Sequence, residues 1–170
     1  MHNGAMTHDD VRQVGYDDAD AQLLVDLVQQ EYVRRYGGPD DSPLDPAEFR
    51  PPDGQFVVGY DNGRPVAMGG WRLSEAARSE LGFRGRVVEL RRMYVVPESR
   101  GRGMARKVLN HLEVMAAAAG ADWMVLETGS PQPEAVALYR SSGYQPIAAF
   151  GHYATSARSI HLGKRLTLAP

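Results

Sequence analysis

The strongest chemical signal lies in one short run, Arg100-Gly101-Arg102-Gly103-Met104-Ala105. Its two glycines carry no Cβ, so a ligand can come close to the backbone there. If a strand precedes the run and a helix follows it, successive backbone N–H groups and the positive end of the helix dipole converge on one spot. That arrangement suits an anion, most simply a phosphate. Arg100, Arg102, Arg106 and Lys107 cluster at this turn in a chain whose net charge is −2. Acids, not bases, stabilise a first helical turn, so the run expects negative charge to arrive from outside. Neither the G-x-x-x-x-G-K-[ST] phosphate loop nor the G-x-G-x-x-G dinucleotide loop fits, because the residue three after Gly103 is Arg106.

A second reactive group lies upstream. Glu89 sits in an apolar run with Val87, Val88 and Leu90, where desolvation raises a carboxylate's proton affinity and suits it to general-base work. Glu89 could equally pair with Arg91, Arg72 or another cation as a structural ion pair. Arg72 or Arg91 could clamp a substrate carboxylate bidentately. The five acids between Asp40 and Asp53 would instead attract a cationic amine, and the sequence leaves both options open.

The elements that must position these groups follow from period and punctuation. Val87 to Val96 is β-branched and aliphatic, without Gly, and predicts a buried strand ending at Pro97. Its apolar residues slip parity once: Leu90 and Met93 are three apart, Met93 and Val95 two apart. That slip predicts a bulge around Arg91-Arg92. Met104, Val108, Leu109, Leu112, Met115, Ala116 and Ala119 then recur at helical spacing, and Gly120 stops the helix.

Towards the N-terminus, Val11 to Tyr16 predicts a strand. A helix follows, capped by Asp17, Asp18 or Asp20, with a stripe of Leu23, Leu24, Leu27, Val28 and Tyr32, and it ends at Gly37-Gly38-Pro39. Asp40 to Asp53 is a proline-rich loop with a short helix at Pro46 to Phe49. Gln55 to Tyr60 and Pro65 to Leu73 form a hairpin about Asp61-Asn62-Gly63, and Gly69-Gly70 implies a bulge or a close backbone approach. Ser74 to Gly85 reads as a polar connection. After Gly120 come a strand at Trp123 to Thr128, a helix at Pro133 to Ser142 closed by Gly143, and strands at Tyr144 to Ala149 and Ser159 to Leu166. The class is α/β (α+β), with a mixed, mostly antiparallel sheet of six to seven strands flanked by helices.

Arg100, Gly103 and Ala105 occupy the fixed places of [R/Q]-x-x-G-x-[G/A]. Gln132 to Tyr144 resembles N-x-x-A-x-x-L-Y-x-x-x-G-[F/Y], with Ala135, Leu138, Tyr139, Gly143 and Tyr144 in place and Gln132 where Asn is usual. Thr128 to Ala135, T-G-x-x-Q-P-E-A, looks like a subgroup of small bacterial members. From about Gln55 onward the chain thus resembles the GNAT superfamily of acyl-CoA N-acyltransferases. The resemblance implies a bulged central strand splayed from its neighbour to leave a V-shaped slot, and acetyl-CoA as cosubstrate. In that picture the backbones of Met93, Tyr94 and Val95 face pantetheine, and a free N–H near Tyr94 serves the oxyanion. Arg100, Gly101, Arg102, Gly103, Met104, Ala105 and Arg106 hold the pyrophosphate, with arginine side chains near the 3′-phosphate. Gln132, Ala135 and Tyr139 complete the cofactor side, and Tyr139 is the candidate acid for the departing thiolate. Glu89, eleven residues before Arg100, stands where histone-acetylating members keep a catalytic Glu. Tyr32, Tyr36, Trp71, Arg72, Arg91 and His152 are the candidate acceptor residues.

The expected reaction is acetyl transfer, by direct attack, to the primary amine of a small molecule, either amino acid-like or another amine. The alternatives are a catalytically silent CoA-binding sensor and a protein or peptide acetyltransferase. A chain of 170 residues reads as one domain at 9–170 behind a flexible leader at 1–8. Near-neutral charge argues against nucleic acid as the partner. The absence of cysteine fits a reducing cytoplasm. No apolar run is long enough to span a membrane, and five histidines without H-E-x-x-H spacing suggest no metal. A homodimer is compatible with the resemblance.

Overall fold

Seven strands form one sheet in the computed structural model, which describes residues 10–166. The leader expected at 1–8 lies outside them. The strands are β1 (Asp10–Val14), β2 (Gly54–Asp61), β3 (Arg64–Leu73), β4 (Val87–Val95), β5 (Trp123–Gly129), β6 (Gln145–Pro146) and β7 (Ser159–Arg165), in the spatial order β1-β2-β3-β4-β5-β7-β6. Every pairing is antiparallel except β4 with β5. Four helices complete the fold: α1 (Ala19–Tyr36), α2 (Glu75–Leu81), α3 (Met104–Ala118) and α4 (Pro133–Ser141). No helix among the described residues is long and apolar enough to cross a membrane.

Local chemistry sets the boundaries. The Asp18 side chain accepts from the Asp20 amide at the start of α1, and Gly37 ends that helix in the left-handed region. The α1 face that goes inward is Ala21, Leu24, Val25 and Val28, whereas Leu23, expected in the stripe, is 52% exposed. A 3-10 turn at Pro46–Phe49 sends Phe49 into an aromatic cluster with Tyr16 and Phe56. On the opposite face of the sheet, α3 lays Val108 and Leu112 over Gly69 of β3.

Two expectations need correction. Ser74 to Gly85 holds a helix, α2: the Ser74 hydroxyl caps the Ala77 amide and Gly82 closes the end. Polar composition hides a helix of this length, and only the two caps betray it. The strand expected at Tyr144 to Ala149 shrinks to Gln145–Pro146, because Pro146 cannot donate to a ladder.

The glycine pair of β3 marks a close approach on both faces. A Cβ on Gly69 would sit 2.5 Å from Met93 Sδ, and one on Gly70 would sit 2.6 Å from the Phe56 ring and 2.8 Å from the Gln55 carbonyl oxygen. A backbone oxygen cannot step aside. Gly70→Ala is therefore expected to destabilise the protein by about 1–3 kcal/mol through overpacking, lowering Tm by roughly 3–10 °C. A thermal melt of the variant checks this.

Candidate functional site

The site begins where two strands part. β4 and β5 pair only from Val87, Val88 and Glu89 to Trp123, Met124 and Val125. Beyond Glu89 the facing edge of β4 has no partner strand among the described residues, while β5 continues against β7. A cavity of ≈ 920 Å³ opens there, walled by residues 90–93 of β4, 126–129 of β5, the end of α1, the start of α4 and the loops around Asp40 and His152.

The bulge lies where the parity slip predicts it. Gly70 pairs with Arg91 and Met68 with Tyr94, so Arg92 and Met93 together stand opposite Gly69. Arg92 takes φ = 60°, a left-handed conformation costing about 1–2 kcal/mol for a residue with a Cβ. The extra residue lets two sequence neighbours reach one carboxylate. Arg91 Nη2 is 3.3 Å and Arg92 Nη1 2.6 Å from Asp40 Oδ2. Asp40 Oδ1 accepts from the Ser42 amide at 2.9 Å, the Ser42 hydroxyl at 2.6 Å and the Tyr153 hydroxyl at 2.8 Å. Burial alone would raise the proton affinity of Asp40. The Ser42 hydrogen bonds and the charge on Arg92 outweigh it and bring the pKa down to about 2.

The two other inner acids differ in their surroundings. Glu89 lies between guanidiniums, 3.6 Å from Arg72 and 3.7 Å from Arg91, and Arg72 also bonds Glu48 at 2.5 Å. Glu127, on β5, makes no ion pair among the described residues; it accepts only from the Ser159 hydroxyl, at 2.8 Å. Burial, with little charge to offset it, pushes the Glu127 carboxyl up to about 7. Sequence reading passed over Glu127 because it sits in a plain strand pattern. The usable signal was a lone acid inside an apolar W-M-V-L-E-T run, the same signal that singles out Glu89.

Tyr139 of α4 is buried yet lines the cavity, and burial drives its phenol well above the ordinary value. Ala135 also lines the cavity, as do Tyr32, Tyr36, Arg72, Arg91 and His152 of the expected acceptor group. Trp71 does not join them: it is 2% exposed, on the face toward α3, and donates its indole N–H to Gln55. Strand parity explains this, since Trp71 alternates with Gly70 and Arg72. Gln132 gives its side-chain amide to the Tyr36 hydroxyl at 2.7 Å, and His152 Nε2 meets Asp41 at 3.1 Å.

The glycine corner closes the picture. Arg100 N–H donates to Pro97 and Lys107 N–H to Gly103, but among the described residues the amides of Gly101, Arg102, Gly103, Met104, Ala105 and Arg106 reach no acceptor. Gly101 and Gly103 both take φ = 81°, and a Cβ on either would meet nothing within 4 Å. The corner is therefore an open cradle of backbone donors at a helix start. The arginine side chains do not all face it as expected. Arg100 reaches back to the Val95 carbonyl (3.0 Å) and to Glu31 (2.8 Å), and Arg106 bonds the Ser141 and Ser142 hydroxyls. Arg102 stays exposed, 3.6 Å from Asp61.

The model of the Acetyltransferase (GNAT) family matches residues 22–144, reaching further toward the N-terminus than the motifs do. An IAA acetyltransferase of Azospirillum brasilense is 34% identical over 123 residues, 72% of this chain and 75% of that protein. Among solved structures, a Klebsiella pneumoniae chain assigned as an acyl-CoA N-acyltransferase is 27% identical with a TM-score of 0.73, over 94% of this chain and 99% of its own. A Salmonella typhimurium structure described with its cofactor acetyl-CoA is 19% identical with a TM-score of 0.69, over 96% and 97% of the two chains; at that identity the likeness shows the fold.

The proton held by Glu127 has a measurable consequence. Its folded-state pKa of about 7 exceeds the ordinary 4.5, so between those values the native state binds the extra proton and stability falls as pH rises. Glu127→Gln is expected to gain on the wild type by on the order of 1–3 kcal/mol between pH 4.5 and pH 8. Urea unfolding at the two ends checks this: an unchanging gap would mean that Glu127 titrates normally.

Proposed function

The chain belongs to the Acetyltransferase (GNAT) family and is an acyltransferase, and from that premise we propose that it moves an acetyl group from acetyl-CoA to the primary amine of a small molecule. The observation that carries this reading is the run of six unfilled amides from Gly101 to Arg106. The cradle fits a diphosphate: it offers successive N–H donors, space at both glycines, and a first helical turn without an acid. When bound, acetyl-CoA supplies an acetyl group activated as a thioester.

The chain's own groups do the rest. The amides of Gly101 to Arg106 hold the pyrophosphate. The unpaired edge of β4 along Met93, Tyr94 and Val95 faces the pantetheine arm, although the Val95 carbonyl already accepts from Arg100. Glu127 is the general base. Near neutral pH a carboxyl with a pKa of about 7 is partly ionised, so it accepts a proton from the acceptor nitrogen readily. Glu89, flanked by Arg72 and Arg91, holds those guanidiniums in place. Tyr139 donates its hydroxyl proton to the departing sulfur; its raised proton affinity keeps it in the donor form. The new bond joins nitrogen to the acetyl carbon as the carbon–sulfur bond breaks.

Gly103→Glu is expected to abolish acetyl-CoA binding, since the side chain adds negative charge at a left-handed position beside the cradle; unchanged affinity by calorimetry would sink the cradle assignment. Glu127→Gln is expected to lower kcat by ~10²–10⁴-fold and to remove a limb near pH 7 from the kcat/KM profile. Tyr139→Phe is expected to lower kcat with little loss of cofactor affinity. Steady-state rates read through the released thiol test both roles.

A further inference from the structure

We infer that Asp40 makes the acceptor site selective for amines without a neighbouring carboxylate, by occupying the two guanidiniums, Arg91 and Arg92, that would otherwise bind one. This rests on the transfer reading above and names its substrate class.

Three arginines on one cavity wall would ordinarily read as an anion site. Each is already answered. Asp40 takes Arg91 and Arg92, Glu48 takes Arg72, and Glu89 stands between Arg72 and Arg91. The inner charges therefore cancel, three against three, and Glu127 remains as the one inner acid without an ion-pair partner among the described residues. An arriving ammonium finds an unpaired carboxyl at Glu127, whereas an arriving carboxylate finds no unanswered arginine on the inner wall. At the exposed rim, Asp41, Glu75 and Glu80 outnumber Arg158, which steers the same way.

The anion site is masked rather than missing. The Arg92 side chain is 4% exposed and lines the cavity, and its Nε is buried without a partner. Asp40 reaches it from a loop rather than from the sheet. The loop is fastened by the Ser42 and Tyr153 bonds, by Gln29, which bonds the Asp40 backbone through both its side-chain atoms, and by His152 on Asp41. Removing the Asp40 charge would leave Arg92 with no carboxylate and Arg91 with only its 3.7 Å neighbour Glu89.

The test is a set of matched acceptors differing only in the α-carboxylate: ethylamine with alanine, phenethylamine with phenylalanine, and cadaverine with lysine, with acetyl-CoA saturating and free thiol as readout. The wild type is expected to favour the amine of a pair by at least ~10-fold in kcat/KM. Asp40→Asn is expected to shift that ratio toward the amino acid by roughly tenfold or more. Adding Arg91→Met to Asp40→Asn is expected to reverse the shift. Arg91→Met alone is expected to strengthen the preference for the amine, and this variant carries the test if Asp40→Asn does not fold. A merely structural role for Asp40 would lower both members of a pair together and leave the ratio unmoved; that result, or a wild type favouring amino acids, overturns the inference while the transfer reading stands. Acetyl-CoA bound but no amine of any pair acetylated would sink the transfer reading, and this one with it.

Discussion

One surplus residue in β4 governs the site. At Arg92 the strand holds two residues against one on β3, and a bulge bends its strand and sharpens the local twist. The bend falls just past the last rung shared with β5 at Glu89, so the two parallel strands separate there and the cavity occupies the gap. A regular β4 would have sent Arg91 and Arg92 to opposite faces. The left-handed φ at Arg92 is unfavourable in itself, and the buried ion pair with Asp40 holds it in place. Strain and electrostatics are thus coupled at one residue: the bulge brings the second arginine to Asp40, and Asp40 stabilises the bulge.

The same coupling sorts the acids of the cleft. A carboxylate's behaviour there depends less on burial than on who answers its charge. Asp40 is half-buried and strongly ionised, because five hydrogen-bond donors converge on it. Glu127 is half-buried with a single hydroxyl donor, and so holds its proton to near neutrality. Two carboxylates in one cavity are pushed to opposite ends of their range, Asp40 held in ion pairs and Glu127 in none among the described residues.

Much of the frame was legible from the chain alone. Gly37, Gly63 and Gly120 fell at turns because their backbones need positive φ, and the parity slip between Leu90 and Met93 located the bulge. The hidden parts share a physical reason. Asp40 is 51 residues from Arg91 and 113 from Tyr153 along the chain, and periodicity carries no information about which loops meet. Glu127 matters through the absence of a neighbour, which no local pattern records. Trp71 was assigned to the cleft by its residue type, though its parity with Arg72 already put it on the other face. The short α2 was written in caps rather than in an apolar stripe.

The arginine that leads the glycine corner is best understood as part of the scaffold. Arg100 spans three elements: its Nε holds the Val95 carbonyl at the end of β4, its Nη2 holds Glu31 of α1, and its backbone opens the cradle. Glu31 also lies 3.5 Å from Arg35, whose guanidinium bonds the Pro131 carbonyl and Glu134 at the start of α4. A chain of charges therefore runs from the corner through α1 to the helix that carries Tyr139. The links through Glu31 are partly buried, where a charge-assisted hydrogen bond outperforms a surface pair, whereas Glu134 at the far end is exposed. The corner amides stay unfilled because no acceptor among the described residues reaches them; Arg100 and Arg106, themselves donors, turn aside to fix these helices. Unfilled amides and bracing side chains thus meet in one short run, Arg100 to Arg106.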